Sequence, residues 1–136
     1  DPEASVKFYC NALGLRVTDT AELPRMSATF LHCNPRHHSL ALTTALPGAA
    51  GQVSHLMVEA SAMEDVGCAY ELCQAKGVPI WLSLGQHTND RVLSFYIKSP
   101  SGFGLEYGFG GIEIDESTWR VEHWKSGSFW GHKPSS

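Results

Sequence analysis

Apolar positions recur every three or four residues at the start of the chain. Val6, Tyr9 and Leu13 follow that spacing, which marks a helix with one packed face. Asp1-Pro2 supplies a carboxylate cap and a proline at the first helical position, and Gly14 a left-handed end. The pattern then changes to short apolar runs bounded by turn residues. Segments 15–20, 28–33 and 38–44 read as strands, separated by a loop over 21–27 holding Pro24 and by the turn Asn34-Pro35-Arg36-His37. A second series begins with a strand over 52–60. Ser61-Ala62-Met63-Glu64 reads as a capping box, and Met63, Val66, Tyr70 and Cys73 as the buried stripe of a helix that ends at Gly77. Strands follow over 78–84, 91–98 and 103–109.

The two series repeat one unit: strand, helix, glycine, then three strands. The first module spans 1–46 and lacks the opening strand, which is expected just upstream of Asp1. The second spans 52–109, after a linker of small residues over 47–51. Residues 110–136, with Trp119, Trp124 and Trp130, read as a wrapping tail with a short strand or turn, the whole forming one domain. The expected fold class is α+β: paired βαβββ modules whose mixed sheets curl into a barrel-like cup, with ligands from both halves inside it. The chain opens without a methionine and is helical almost at once, as expected of a piece of a longer polypeptide.

Composition narrows the functional classes. A length of 136 residues suffices for one domain with a real core. The net charge is −4 and no basic run exists, so nucleic acid and acidic membranes are poor partners. The apolar runs are too short for a membrane helix, and no signal-peptide pattern is present. The four cysteines show no zinc-binding spacing and read as reduced, buried thiols of a cytoplasmic protein. Seven histidines are many for this length and carry most of the functional question.

Alternation along the last hairpin points to a site. Pro100-Ser101-Gly102 fits a three-residue loop with glycine in the left-handed position. That register sets Tyr96 opposite Glu106. Ser94, Tyr96 and Lys98 then share a face with Gly104, Glu106 and Gly108, while Leu93, Phe95, Ile97, Phe103, Leu105, Tyr107 and Phe109 face the helices. Two glycines leave empty volume around Glu106. From the hairpin alone, a carboxylate on a solvated sheet face is the favoured reading. His55 lies mid-strand in the same repeat unit, and with Glu106 it makes two candidate members of a metal-binding facial triad. By pseudo-symmetry, the second histidine belongs to the strand upstream of Asp1.

Several stretches resemble one family. They are His87-Thr88-Asn89-Asp90, Val92-Leu93-Ser94-Phe95-Tyr96, Ser99-Pro100-Ser101-Gly102-Phe103 and Glu106-Tyr107-Gly108. With them go Phe30-Leu31-His32-Cys33-Asn34-Pro35-Arg36-His37-His38, His55-Leu56-Met57-Val58-Glu59 and Phe129-Trp130-Gly131-His132. Together they are similar to the catalytic, C-terminal domain of type I extradiol ring-cleaving dioxygenases. These belong to the vicinal oxygen chelate superfamily, whose glyoxalase/dioxygenase fold pairs βαβββ modules. The nearest likeness is to the group that cleaves 2,3-dihydroxybiphenyl.

The resemblance implies a non-haem Fe(II) site, with Mn(II) suited to the same ligands. It makes His55 and Glu106 two of three ligands and His38 the acid/base histidine. It also makes Tyr96 and His87 partners of the bound catechol, and Asn89 and Asp90 pocket positions. The implied reaction inserts both atoms of O2 into a substituted catechol and cleaves the ring beside the diol. Phe30, Ala41 and Thr43 would line the substrate pocket and, with the Trp-rich tail, suit an aryl or polycyclic substituent. Alternation places Ser39, Ala41 and Thr43 on the inner face, so His38 reaches it only through a bend or bulge. His37 reads as a turn residue. A homologous N-terminal domain and a homo-oligomer are implied as well. The competing readings are a glyoxalase-like isomerase, a metal-poor domain that binds small aromatics, and a fragment that dimerises through its open sheet edge.

Overall fold

The computed structural model describes residues 1–44 and 50–135. The elements, in order, are α1 (Pro2–Leu13), β1 (Arg16–Leu23), β2 (Met26–His32), β3 (Leu40–Thr43), β4 (His55–Glu59), α2 (Met63–Ala75), β5 (Ile80–His87), β6 (Leu93–Lys98), β7 (Gly104–Phe109), β8 (Glu122–Trp124) and β9 (Ser128–Trp130). They form two mixed sheets of βαβββ-type modules, an α+β architecture. By contacts the chain divides into two compact units: Asp1–Gly51 with Ile112–Gly127, and Gln52–Gly111 with the residues from Ser128 onward. The module boundary expected at 46 and most of the linker over 47–51 lie outside the described residues. No helix among the described residues is long and apolar enough to cross a membrane.

The first unit holds α1 and a sheet of order β3-β2-β1-β8. Asp1 caps α1 by accepting a hydrogen bond from Ala4 N at 3.1 Å, and Gly14 ends it with φ 70°. Val6 and Tyr9 are half-buried, but Leu13 is exposed. The loop expected over 21–27 is a correction. β1 and β2 pair as far as Leu23 and Met26, so only Pro24 and Arg25 turn the chain. β8 joins β1 in parallel, and the other pairs are antiparallel. A bulge interrupts β1 between Val17 and Asp19. Thr18 and Asp19 are consecutive, yet both are fully buried, as the bend of a bulge allows.

The second unit holds α2 and a sheet of order β4-β7-β6-β5-β9, with only β4 and β7 parallel. α2 packs on β5, β6 and β7, its Tyr70 ring 5.1 Å from that of Phe95. Val66 is fully buried and Tyr70 and Cys73 are half-buried, whereas Met63 is exposed. The capping box does not form: Ala62 takes the cap position and no side chain bonds there. All four cysteines are free; Cys33 and Cys68 are exposed rather than buried.

The β6–β7 hairpin has the expected register, with Tyr96 opposite Glu106. Ser99 N bonds to Phe103 O at 3.1 Å, Gly102 N to Ser99 O at 3.2 Å, and Gly102 has φ +89°. This is the three-residue loop with a left-handed glycine. Phe95, 1% exposed, lies on the face toward the helix.

Candidate functional site

In the second unit the side chains converge on Glu106. β7 carries it between Gly104 and Gly108, with Ser94 and Tyr96 of β6 on the same face. Glu106 is 5% exposed and Ser94 fully buried. The Ser94 hydroxyl donates to Glu106 Oε1 at 2.6 Å. Parallel pairing with β7 brings in β4, where His55 Nε2 lies 3.4 Å from Glu106 Oε2. At the end of β5, His87 Nε2 lies 3.4 Å from Glu106 Oε1 and 2.7 Å from Tyr96 Oη.

The two glycines do not clear empty space, contrary to the alternation argument. A Cβ on Gly104 would lie 2.6 Å from the Trp81 ring and 3.1 Å from His55 Cβ. One on Gly108 would lie 2.7 Å from Val92 and 2.8 Å from Ser94. Glycine here admits neighbouring side chains against the backbone, and those neighbours wall in the carboxylate.

Burial alone would raise the Glu106 carboxyl. The His55 and His87 rings turned toward it, the His87 charge and the Ser94 hydroxyl outweigh burial and hold the group well below the usual carboxylate range. It is therefore an anion inside the protein. Burial, then the Glu106 charge, drive the Tyr96 phenol well above its ordinary value, so Tyr96 remains a hydrogen-bond donor.

His132 completes the cluster and had no assigned role, although it stands in the Phe129-Trp130-Gly131-His132 stretch. Its ring lies 4.2 Å from that of His87 and 5.6 Å from that of Tyr96. Nε2 donates to Ser94 O at 3.1 Å, so Nδ1 accepts from the Ser128 hydroxyl at 2.7 Å. Burial, with the charge of His87, lowers its pKa to about 4. The tail reaches this place because Gly85 has no side chain: a Cβ there would lie 2.5 Å from His132 N.

The polar run after β5 is buried, with Thr88, Asn89 and Asp90 each below a tenth exposed. Asp90 Oδ1 accepts from Val92 N at 3.0 Å, and His87 N bonds to Val92 O at 3.1 Å. These bonds close the loop. Arg91 stands in it at φ 67°, its guanidinium 4.4 Å above the Phe129 ring. Asn89 Nδ2 is buried without a hydrogen-bond partner among the described residues. Such a donor invites a ligand acceptor.

Four further candidates lie in the first unit. Phe30 and Ala41 are register partners on β2 and β3, and Thr43, opposite Ala28, is exposed. His38 precedes β3, so strand alternation does not govern it. Its ring lies 4.9 Å from that of Phe30, on the Ala41 side of the sheet. His37 stands in the turn between β2 and β3, as expected, but is buried there. It is 3% exposed, with Nε2 2.9 Å from Asp19 Oδ2 and Nδ1 3.1 Å from His38 Nδ1. His32 is likewise buried, between Thr18 Oγ1 and Glu116 Oε1, each at 2.6 Å.

Comparison with known proteins bears on this arrangement. The profile of the Glyoxalase/Bleomycin resistance protein/Dioxygenase superfamily matches residues 1–107. A 2,2',3-trihydroxybiphenyl dioxygenase of Sphingomonas paucimobilis is 40% identical over 135 residues, 98% of this chain and 46% of that protein. The chain belongs to the extradiol dioxygenases of this superfamily. An iron-dependent extradiol dioxygenase of Rhodococcus jostii (strain RHA1) is 38% identical over 97% of this chain and 47% of its own length. The crystal structure of 2,2',3-trihydroxybiphenyl 1,2-dioxygenase from dibenzofuran-degrading Sphingomonas wittichii strain RW1 superposes with a TM-score of 0.95 at 39% identity, covering 99% of this chain and 47% of that one. The chain spans about half the length of the relatives it matches.

The donor set of the second unit fits a divalent iron. It offers one buried anionic oxygen and one imidazole nitrogen, the ligand types of a facial triad. Their 3.4 Å separation is wider than the roughly 2.7–2.9 Å of a charge-assisted hydrogen bond. Both atoms can turn to a common ion at that spacing.

Proposed function

We propose that the chain is the catalytic half of a non-haem Fe(II) extradiol dioxygenase that inserts both atoms of O2 into an aryl- or polycycle-substituted catechol, cleaving the ring beside the diol. The observation that carries this reading is the buried, ionised Glu106 with His55 Nε2 at 3.4 Å. A buried anion is costly; Ser94, His55 and His87 offset part of that cost, and a cation held by Glu106 and His55 would offset more. Mn(II) suits the same ligands. In the full-length protein the third ligand is a histidine on a strand preceding Asp1, beside β3 where β4 lies beside β7. A homologous domain precedes that strand.

His55 and Glu106 would hold the iron. Iron held there would supply binding positions for the diol oxygens and dioxygen and a path for electrons between them. The chain's own groups do the rest. Tyr96 keeps its proton and donates to oxygen atoms as they gain negative charge. His87, 2.7 Å from that phenol, orients it and shares the same load. Asn89 Nδ2 offers its buried donor to the substrate, and Asp90 holds the loop that presents it. His38 takes the proton lost by the diol and later returns it as general acid. Phe30, Ala41 and Thr43 line the place of the substituent.

Full-length protein loaded anaerobically with Fe(II), then given a substituted catechol and O2, is expected to consume one O2 per ring and yield a semialdehyde- or keto-type muconate. Cleavage between the two hydroxyl-bearing carbons, or aromatic binding with no oxygen uptake, would contradict the proposal.

A further inference from the structure

Ser94 and His132 have no part in the proposed chemistry, yet together they form a chain that ends on Glu106. The direction of each link follows from the groups. A carbonyl oxygen only accepts, so His132 Nε2, 3.1 Å from Ser94 O, carries a hydrogen whether the ring is neutral or charged. The same Nε2 lies 3.2 Å from Ser94 Oγ. The one hydrogen of that hydroxyl goes to Glu106 Oε1 at 2.6 Å, so toward His132 it can only accept. The N–H of His132 thus meets both oxygens of Ser94, and Ser94 holds Oε1 of Glu106. Oε2 is left facing His55 Nε2 at 3.4 Å.

We infer that His132, acting through Ser94, fixes the orientation of Glu106, holding one carboxylate oxygen and presenting the other to the metal. The C-terminal tail is then a working part of the metal centre. The inference rests on the proposed role of Glu106 as a ligand and makes Ser94 and His132 positioning residues. The backbone is strained to place His132. It stands there at φ 47°, a left-handed conformation that residues other than glycine seldom adopt. Such strain persists where the surroundings over-determine it, and it gathers at functional sites. The surroundings do so on both sides. Trp130 is the register partner of Gln86 on β5, and Lys133 N donates to Ser83 Oγ at 3.0 Å while Lys133 O accepts from Ser83 N at 2.9 Å. Gly131 packs so closely on β5 that a Cβ there would collide with Leu84 O. Ser128 Oγ, 2.7 Å from Nδ1, holds the far side of the His132 ring. Ser94 is fully buried, so bulk water does not compete for its hydroxyl.

Anaerobic Fe(II) titration of the full-length protein reads the affinity that this positioning serves. Ser94→Ala and His132→Leu are each expected to weaken iron binding by roughly 10–100-fold, the range for groups that orient a metal's ligands. His132→Gln keeps an N–H at similar reach and should stay near wild type. Leucine and glutamine fill similar space, so a merely structural role would move both alike. The double variant Ser94→Ala/His132→Leu should bind iron little more weakly than Ser94→Ala, because His132 acts through the serine. Wild-type affinity in His132→Leu, equal losses in the Leu and Gln variants, or an additive loss in the double variant overturns the inference, while ring cleavage by the wild type would leave the dioxygenase reading intact. A crystal structure of the metal-free wild type needs no variant to fold: one Glu106 oxygen on Ser94 Oγ and the other toward His55 is expected, and a carboxylate not bonded to Ser94 overturns the inference. The stated order of affinities in a protein that cleaves no ring would support the inference and sink only the dioxygenase reading.

Discussion

Glu106 stays ionised where burial opposes it because His55, His87 and Ser94 all turn polar atoms toward it. Tyr96 stays protonated beside it for the same electrostatic reason. Tyr96→Phe removes one donor and leaves His55 and Glu106 in place. It is expected to lower kcat of the full-length enzyme by about 10²-fold, as loss of an oxyanion donor does, while iron content is unchanged. His132 gives a pH dependence. Its folded value is lowered from 6.5 to about 4, so between those values the unfolded chain binds more protons. Stability of the metal-free chain therefore falls as pH drops from about 6.5 to about 4. Glu106, held below its ordinary value, adds stability above that value that is lost as pH falls further. Urea melts across this range should show the slope in wild type and a flatter one in His132→Gln; equal slopes would remove His132 from the account.

At the scale of elements, the β6–β7 hairpin was legible because its turn fixes its register. Pro100-Ser101-Gly102 admits one short loop, and every facing pair follows from it. The β1 bulge was not legible. Strict alternation sends Thr18 and Asp19 to opposite faces, and nothing in a single sequence marks the extra residue that turns both inward. For that reason the burial of the turn residue His37 and its partner Asp19 stayed unseen. β8 and β9 were hidden differently: three residues each are too few to show a period. Gly85 is the element-level test of the β9 connection. Gly85→Ala would press a methyl against His132 N and Trp130 O. It should cost about 1–3 kcal/mol, the usual range for overpacking, measured by urea unfolding, and should loosen His132 from Ser94. A neutral result would mean that β9 does not dock on β5 as described.

At the scale of the molecule, the repeated order of strands and helices showed the fold, and the tail completes each sheet in an equivalent way. β8 adds beside β1, the strand after α1, and β9 beside β5, the strand after α2. The first sheet has no described strand at the outer edge of β3, where β4 stands beside β7 in the second. The proximity of His55 and Glu106 was legible because both lie on regular strands of one module. The central claim is that these two residues hold the metal. Anaerobic Fe(II) titration of the full-length protein tests it most directly, with Glu106→Gln as the comparison. One iron per chain in wild type and only a trace in the variant is the expected result; a wild type that takes up no iron, or a variant that keeps it, would contradict the claim.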